Sequence, residues 1–228
     1  MPARRAKLFN LLHVIDLGET ASTDAADRMV HLLTDECVSL PGIVSAKAGK
    51  TLPRALTGGH VMWRLGFPSE QDYWNCQASS SWRSKIIPAL APAEGVFVDS
   101  VAYRADQSDV SAGRSREGIW RCLVLAVDTK APCGHVRQFE QDMLLMPKYV
   151  SSIRNWAFGH VVSSQGRRRW THVWEQEFDD ISGLERDYMA HPIHWGLVDG
   201  WYDPECPQRI VDTLCIQGAI AIDEALIG

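Results

Sequence analysis

Met146-Pro147-Lys148-Tyr149-Val150-Ser151 repeats the pattern of Leu40-Pro41-Gly42-Ile43-Val44-Ser45 at an offset of 106 residues. Each stretch has an apolar residue, a proline that stops a helix, and then the start of a β-branched or aromatic strand. The flanks agree. Before the first stretch, Leu8–Leu17 reads as a strand. A helix from Thr23 to Val38 follows, capped by Thr23, with Ala25, Met29, Leu32 and Glu36 on one side. Before the second, Trp120–Val127 reads as a strand, and Val136, Phe139, Met143 and Met146 at spacings of 3, 4 and 3 form one apolar helix face.

The echo continues downstream. Trp63 and Phe67 recur as Trp174 and Phe178 at an offset of 111, and each pair is followed by an acidic helix start. Val96–Tyr103 and Thr213–Ile222 read as closing strands. Each half thus has the order β-α-β-β-α-β, the ferredoxin-like order. An antiparallel sheet covered by helices on one face leaves its other face bare, and two such sheets can bury their bare faces against each other. The expected fold is α+β: two fused ferredoxin-like repeats forming a dimeric-type barrel within one chain. The expected boundaries are 1–104 for the first repeat, 105–117 for a polar linker and 118–228 for the second.

Composition fits a globular chain of 228 residues with 46% hydrophobic and 22% charged residues. A net charge of −5 argues against a nucleic-acid partner. No apolar run is long enough to span a membrane. Asn10, His13 and Asp16 interrupt the N-terminal apolar run, so a signal peptide is not expected. The six cysteines lie far apart without a CxxC, which suits reduced thiols and a cytoplasmic location. Nine Trp leave apolar surface to hide, which keeps a homodimer open.

The chemistry-bearing stretch runs from Trp170 to Trp195. On a strand, His172, Trp174, Gln176 and Phe178 share one face, while Thr171, Val173, Glu175 and Glu177 share the other. The first face is mostly aromatic and should be covered, with His172 as a polar group among rings. Tyr188 lies near the end of the next helix, His191 follows on nearly the same face, Pro192 stops the helix, and His194 projects from the turn. Imidazole and phenol are suitable proton carriers, so His172, Tyr188 and His194 could converge on a pocket.

A strand bearing His and an acidic end, then Phe, then a helix closing in Tyr-x-x-His-Pro-x-His resembles the stress-responsive dimeric α/β-barrel (Dabb) proteins. The matching residues are His172, Phe178, Tyr188, His191, Pro192 and His194. The resemblance is strong from Trp120 onward; the first half shares only the order of elements. It implies a cofactor-free enzyme, like a plant polyketide cyclase of that family, acting on a carbonyl-bearing or aromatic small molecule. In that reading His194 is the base, Tyr188 and His172 polarise a carbonyl, and Trp174, His191 and Trp195 contact substrate. Where the cyclase has a first-strand His, this chain has Arg121, which can bind an anion but cannot act as a base near neutral pH.

Two other readings stand beside it: a non-catalytic stress-responsive ligand-binding barrel and, by analogy of architecture alone, a haem-binding barrel. His191 and His194 with Asp199, Asp203, Glu205 and Cys206 could be drawn as a metal site, but the intervening proline removes the regular helical presentation, so no metal and no cofactor are expected. In the first half Val61 stands opposite His172, with His60 one residue out of phase and no His-Pro-x-His. A pocket is expected in the second half only.

Overall fold

The structure, a computed structural model, describes residues 7–19, 21–22, 24–53, 58–91, 96–110 and 117–228. The first half contains β1 (Phe9–Asp16), α1 (Ala25–Cys37), β2 (Ser45–Lys50), β3 (Val61–Phe67), α2 (Glu70–Gln77), a short α3 (Ile87–Ala89) and β4 (Phe97–Arg104). After β5 (Gln107–Val110), the second half contains β6 (Gly118–Leu125), α4 (Cys133–Met143), α5 (Met146–Tyr149), β7 (Asn155–Gln165), β8 (His172–Phe178) and β9 (Ile216–Ile222). Within the halves the strand orders are β2-β3-β1-β4 and β7-β8-β6-β9, the same ferredoxin-like arrangement twice.

The halves form one continuous antiparallel sheet rather than two separate stacked sheets. β4 pairs with β7 and joins them edge to edge. The sheet then curls until its outer edges approach, where Leu52 N donates to Ala219 O at 2.8 Å. A Cβ on Gly58 would lie 2.6 Å from the Gly218 Cα, so this closure needs a residue without a side chain. The result is a nearly closed barrel.

Alternation along the strands makes three apolar layers. Leu12, Val14, Met62 and Val101 from the first half pack inside the barrel with Trp120, Val124, Val173 and Ile220 from the second. On the outer face, Leu11, Ile15, Trp63 and Phe67 pack under the helices of the first half. Leu123, Phe139, Met143, Trp174 and Phe178 form the matching layer of the second. The inner layer also holds charge. Arg64 Nε donates to Glu175 Oε1 at 2.6 Å, and the Tyr103 hydroxyl donates to the same oxygen at 2.6 Å.

Several local expectations shift. The buried side of α1 is Leu33, with Ala26, Met29, Val30 and Cys37 packed beside it, while Leu32 is exposed. Both sets have helical spacing, and the buried stripe is the neighbouring one, which leaves out Ala25, Leu32 and Glu36. Pro147 does not stop α4, which ends at Met143; it opens α5, where a missing N–H costs nothing. β7 accordingly starts at Asn155 rather than Tyr149. Part of the expected linker is strand: β5 pairs with the N-terminal half of β7, beyond the part that β4 covers. The β4–β5 connection crosses so close to β7 that a Cβ on Gly159 would lie 1.6 Å from Arg104 O. Thr23 and residues 111–116 of the linker lie outside the described residues.

Candidate functional site

Arg121 sits on β6 directly opposite Gln176 of β8, on the helix-covered face. It is 4% exposed. Its guanidinium donates to Gln176 Oε1 at 2.5 Å, to the Tyr188 hydroxyl at 3.3 Å and to Gln217 Oε1 at 3.3 Å. Its Cζ stands 4.8 Å from the centre of the Tyr188 ring, a cation–π contact. Every one of these partners is neutral. Among the described residues no carboxylate lies within ion-pair distance of Arg121. A buried cation without a counter-charge is costly and invites an anion.

Space for one adjoins it on two sides. A cavity of about 160 Å3 is lined by Arg121, Tyr188, His194, Asp199, Tyr202 and Gln217. A second, of about 270 Å3, shares Arg121 and Gln217 and is walled by Leu52, Pro53, Leu184, Met189 and Ala219, with Glu185 also lining it. A wider groove of about 760 Å3 follows the open seam of the barrel near Lys47 and Asp223. It has no His or Tyr lining, so its size does not make it the better chemical site.

Irregular backbone places the two proton carriers. Gly183–Tyr188 and His194–Val198 are π-helical turns, with Met189 N bonded to Leu184 O at 3.1 Å. Such widened turns recur at functional sites. Together they set the Tyr188 and His194 rings edge to face, 4.9 Å between centroids. Burial lowers the His194 pKa; Asp199, whose Oδ1 is 3.6 Å from Nδ1, opposes this, and Arg121 adds to it. His194 is therefore a neutral imidazole, able to accept a proton, at neutral pH. Burial also pushes the Tyr202 hydroxyl well above its ordinary range, keeping it protonated.

The other expected site residues lie elsewhere. His172 is the first residue of β8, four residues and about 13 Å along the strand from Gln176. It does not line the cavity that holds Tyr188 and His194. Its Nε2 faces Glu140 Oε1 at 3.3 Å, its Nδ1 meets Thr171 Oγ1 at 2.9 Å, and its ring lies 4.7 Å from that of His160. Burial, then the neighbouring His160, lowers its pKa to about 4. Trp174 is fully buried against Trp156 and Phe158. His191 caps its own turn, accepting from Ile193 N at 3.2 Å. Trp195 is 61% exposed and donates to Ala190 O. The convergent set is thus Arg121, Tyr188 and His194, joined by Gln176, Gln217 and Tyr202, which the sequence reading had not assigned. Gln176 could have been found, because it shares the strand face of His172.

Metal-ligand types do cluster among the described residues, but not at His191 and His194: the group is Glu140, His160 and His172. The first half also departs from expectation, because it has a cavity of its own. About 520 Å3 is lined by His13, Tyr73, Trp82, Ser100 and Ser163. His60 takes no part; it lies at the rim, bonded to Leu17 N and beside Asp16.

Comparison with known proteins agrees with this architecture. An anthrone oxidase-like protein superposes with a TM-score of 0.69 at 10% identity, covering 96% of this chain and 92% of the other. A putative monooxygenase from Lactobacillus acidophilus gives 0.52 at 9% identity, covering 96% and 94%. A mutant chlorite dismutase from Candidatus Nitrospira defluvii gives 0.52 at 8%, covering 93% and 91%. At such identities the likeness is one of fold. No protein of curated function matches the sequence. Among the described residues no helix is long and apolar enough to cross a membrane. Over residues 119–212 the sequence matches the Stress responsive A/B Barrel Domain, so the second half of the chain is similar to that family.

Proposed function

We propose that the second-half pocket binds a small carbonyl-bearing or aromatic molecule with an anionic group and moves protons on it without a resident cofactor. The observation that supports this is the buried Arg121, which among the described residues is held by neutral partners, at the junction of two cavities. Arg121 holds the carboxylate or enolate oxygen of the ligand. The apolar wall of Leu184, Met189 and Ala219 takes its hydrocarbon or ring portion. His194, neutral and in contact with Tyr188, removes a proton from carbon or hydroxyl. The Tyr188 hydroxyl donates to the oxygen on which charge develops. His172 stands outside this machinery, so the cyclase-like division of labour that the family resemblance implies is reduced here to two proton carriers and a cation.

The test uses a small β-keto acid in D2O, followed by NMR. The wild-type chain is expected to accelerate exchange of the α-protons for deuterium, and Tyr188→Phe to reduce that acceleration by about 10–100-fold. Saturable binding of the acid without any exchange favours the ligand-binding barrel instead. Absence of both overturns the site.

A further inference from the structure

His160 on β7 and His172 on β8 form a directly opposed cross-strand pair, and both rings lie on the helix-covered face. Glu140 of α4 reaches down to them. Its Oε1 is 3.0 Å from His160 Nε2 and 3.3 Å from His172 Nε2, and the three ligand atoms lie within 4.8 Å of one another. Tetrahedral N/O ligands at bond lengths of about 2.0–2.1 Å stand about 3.3 Å apart. The trio therefore needs only small adjustments to surround an ion.

The outer contacts suit the same purpose. His160 Nδ1 is bonded to Asp106 Oδ2 at 2.7 Å, and that carboxylate oxygen also accepts from His160 N at 3.0 Å. For His172, the Thr171 hydroxyl can give its proton to Leu125 O at 3.1 Å while its oxygen takes one from His172 Nδ1 at 2.9 Å. Val127 N donates to the same hydroxyl at 2.9 Å, which holds it in place. Both imidazoles can thus carry a proton on Nδ1 and turn the Nε2 lone pair toward Glu140. An oxygen partner behind each ligating imidazole, fixing tautomer and orientation, is the usual support of a bound metal. Glu140 and Asp106 together supply two negative charges for one divalent cation. The His160 side chain is 55% exposed, leaving a path from solvent, whereas that of His172 is 4% exposed and closes the inner side.

We infer that Glu140, His160 and His172 bind one divalent first-row transition metal ion, with Asp106 and Thr171 as supporting partners and the outer coordination position open to water. Two imidazoles and a carboxylate are borderline donors, which favour ions of the Zn2+ and Co2+ kind over Mg2+ or Ca2+. This site stands apart from the Arg121 pocket and does not depend on the function proposed for it.

The experiment titrates the full chain, first stripped with chelator, with Co2+ by visible absorption and with Zn2+ by calorimetry. One ion per chain is expected, with a d–d band of a four- or five-coordinate N/O site. His160→Ala and Glu140→Gln should each weaken binding more than 100-fold. Asp106→Asn should weaken it by about 10–100-fold, the usual effect of losing such a partner. Because His160 is largely exposed, His160→Ala should retain the wild-type circular dichroism spectrum; His160→Gln serves as a second variant. The assignment is overturned by absence of saturable binding, by binding that survives both ligand substitutions in a folded chain, or by a near-ultraviolet thiolate band, which would place the ion on Cys133 or Cys206.

Discussion

Arg64 and Glu175 occupy the same position in the two halves, 111 residues apart, and meet inside the barrel as an ion pair with Nε–Oε1 of 2.6 Å. Arg64 Nη2 adds a bond to Oε2 at 3.3 Å, and Tyr103 donates to Oε1. The side chains are 3% and 0% exposed. Burial disfavours the guanidinium, but Glu175 and Tyr103 more than offset this and raise the Arg64 pKa. The largely apolar interior of the barrel is thus crossed by a fully buried charged tie between the two halves.

Removing one partner should leave an unpaired buried charge. Arg64→Met or Glu175→Leu is expected to lower the unfolding free energy by about 3–5 kcal/mol. The pair Arg64→Met with Glu175→Leu should recover much of that loss, because both desolvation costs disappear together. Urea denaturation of the two single variants and the double variant measures the coupling. Purely additive losses would show that the pair does not tie the halves.

His13 should make stability depend on pH. It stacks on Trp63 at 5.3 Å, lies close to Trp82 and is bonded to Ser100 Oγ at 2.6 Å. Burial lowers its pKa from 6.5 to about 3. Between those values the unfolded chain binds a proton that the folded chain refuses. Stability present above pH 6.5 is therefore lost as the pH falls toward 3, with a limiting slope of about 1.4 kcal/mol per pH unit. His13→Leu removes this dependence, so its stability relative to wild type should rise steadily below pH 6.5. Parallel stability curves for the two proteins from pH 7 to about 4.5 would show that His13 accepts a proton in the folded state.

The repeated helix-stop and Trp-x-x-x-Phe patterns carried the fold because they report local periodicity and backbone restriction, which act over a few residues. Strand faces followed for the same reason: the alternation of His172, Trp174, Gln176 and Phe178 is the one observed. What stayed illegible depends on contacts between distant residues. Arg64 and Glu175 are far apart in sequence, and only curling of the sheet makes them partners. His172 read as part of the Tyr188 cluster because sequence order says nothing of its distance along β8 from that cluster. His160 and Glu140 carried no motif at all; register across β7 and β8 puts His160 beside His172, and the packing of α4 brings Glu140 to both. Pro147 misled because proline, which cannot continue a helix, fits the first turn of one equally well, and here it opens α5.

Arg121 should behave as a binding residue whose presence strains the fold. A buried guanidinium with only neutral partners costs desolvation energy that no counter-ion returns. Arg121→Met is expected to hold or raise the melting temperature while reducing affinity for a small aromatic carboxylate such as benzoate by at least tenfold. Differential scanning calorimetry and titration calorimetry read the two effects separately. A fall of several degrees with unchanged carboxylate affinity would make Arg121 a structural residue serving Gln176 and Tyr188.

His194 is the residue on which the acid–base reading turns. Its side chain is 12% exposed, it lines the cavity, and its closest charged neighbour, Asp199, stands 3.6 Å away, beyond a good hydrogen bond. Pro192 and the π-helical turn fix its backbone, so the ring is positioned before any ligand arrives. His194→Ala removes one ring face from Tyr188 but breaks no tight polar network, so the stability loss should be about 1 kcal/mol. Proton exchange on a bound β-keto acid should fall by about 10²-fold or more. In wild type, burial has already lowered the His194 pKa, so the exchange rate should be level at neutral pH and decline only on the acid side of 6.5. A rate that declines through neutral pH instead would mean that another group takes the proton. A stability loss of several kcal/mol with exchange intact would assign His194 to packing beneath the Tyr202 loop.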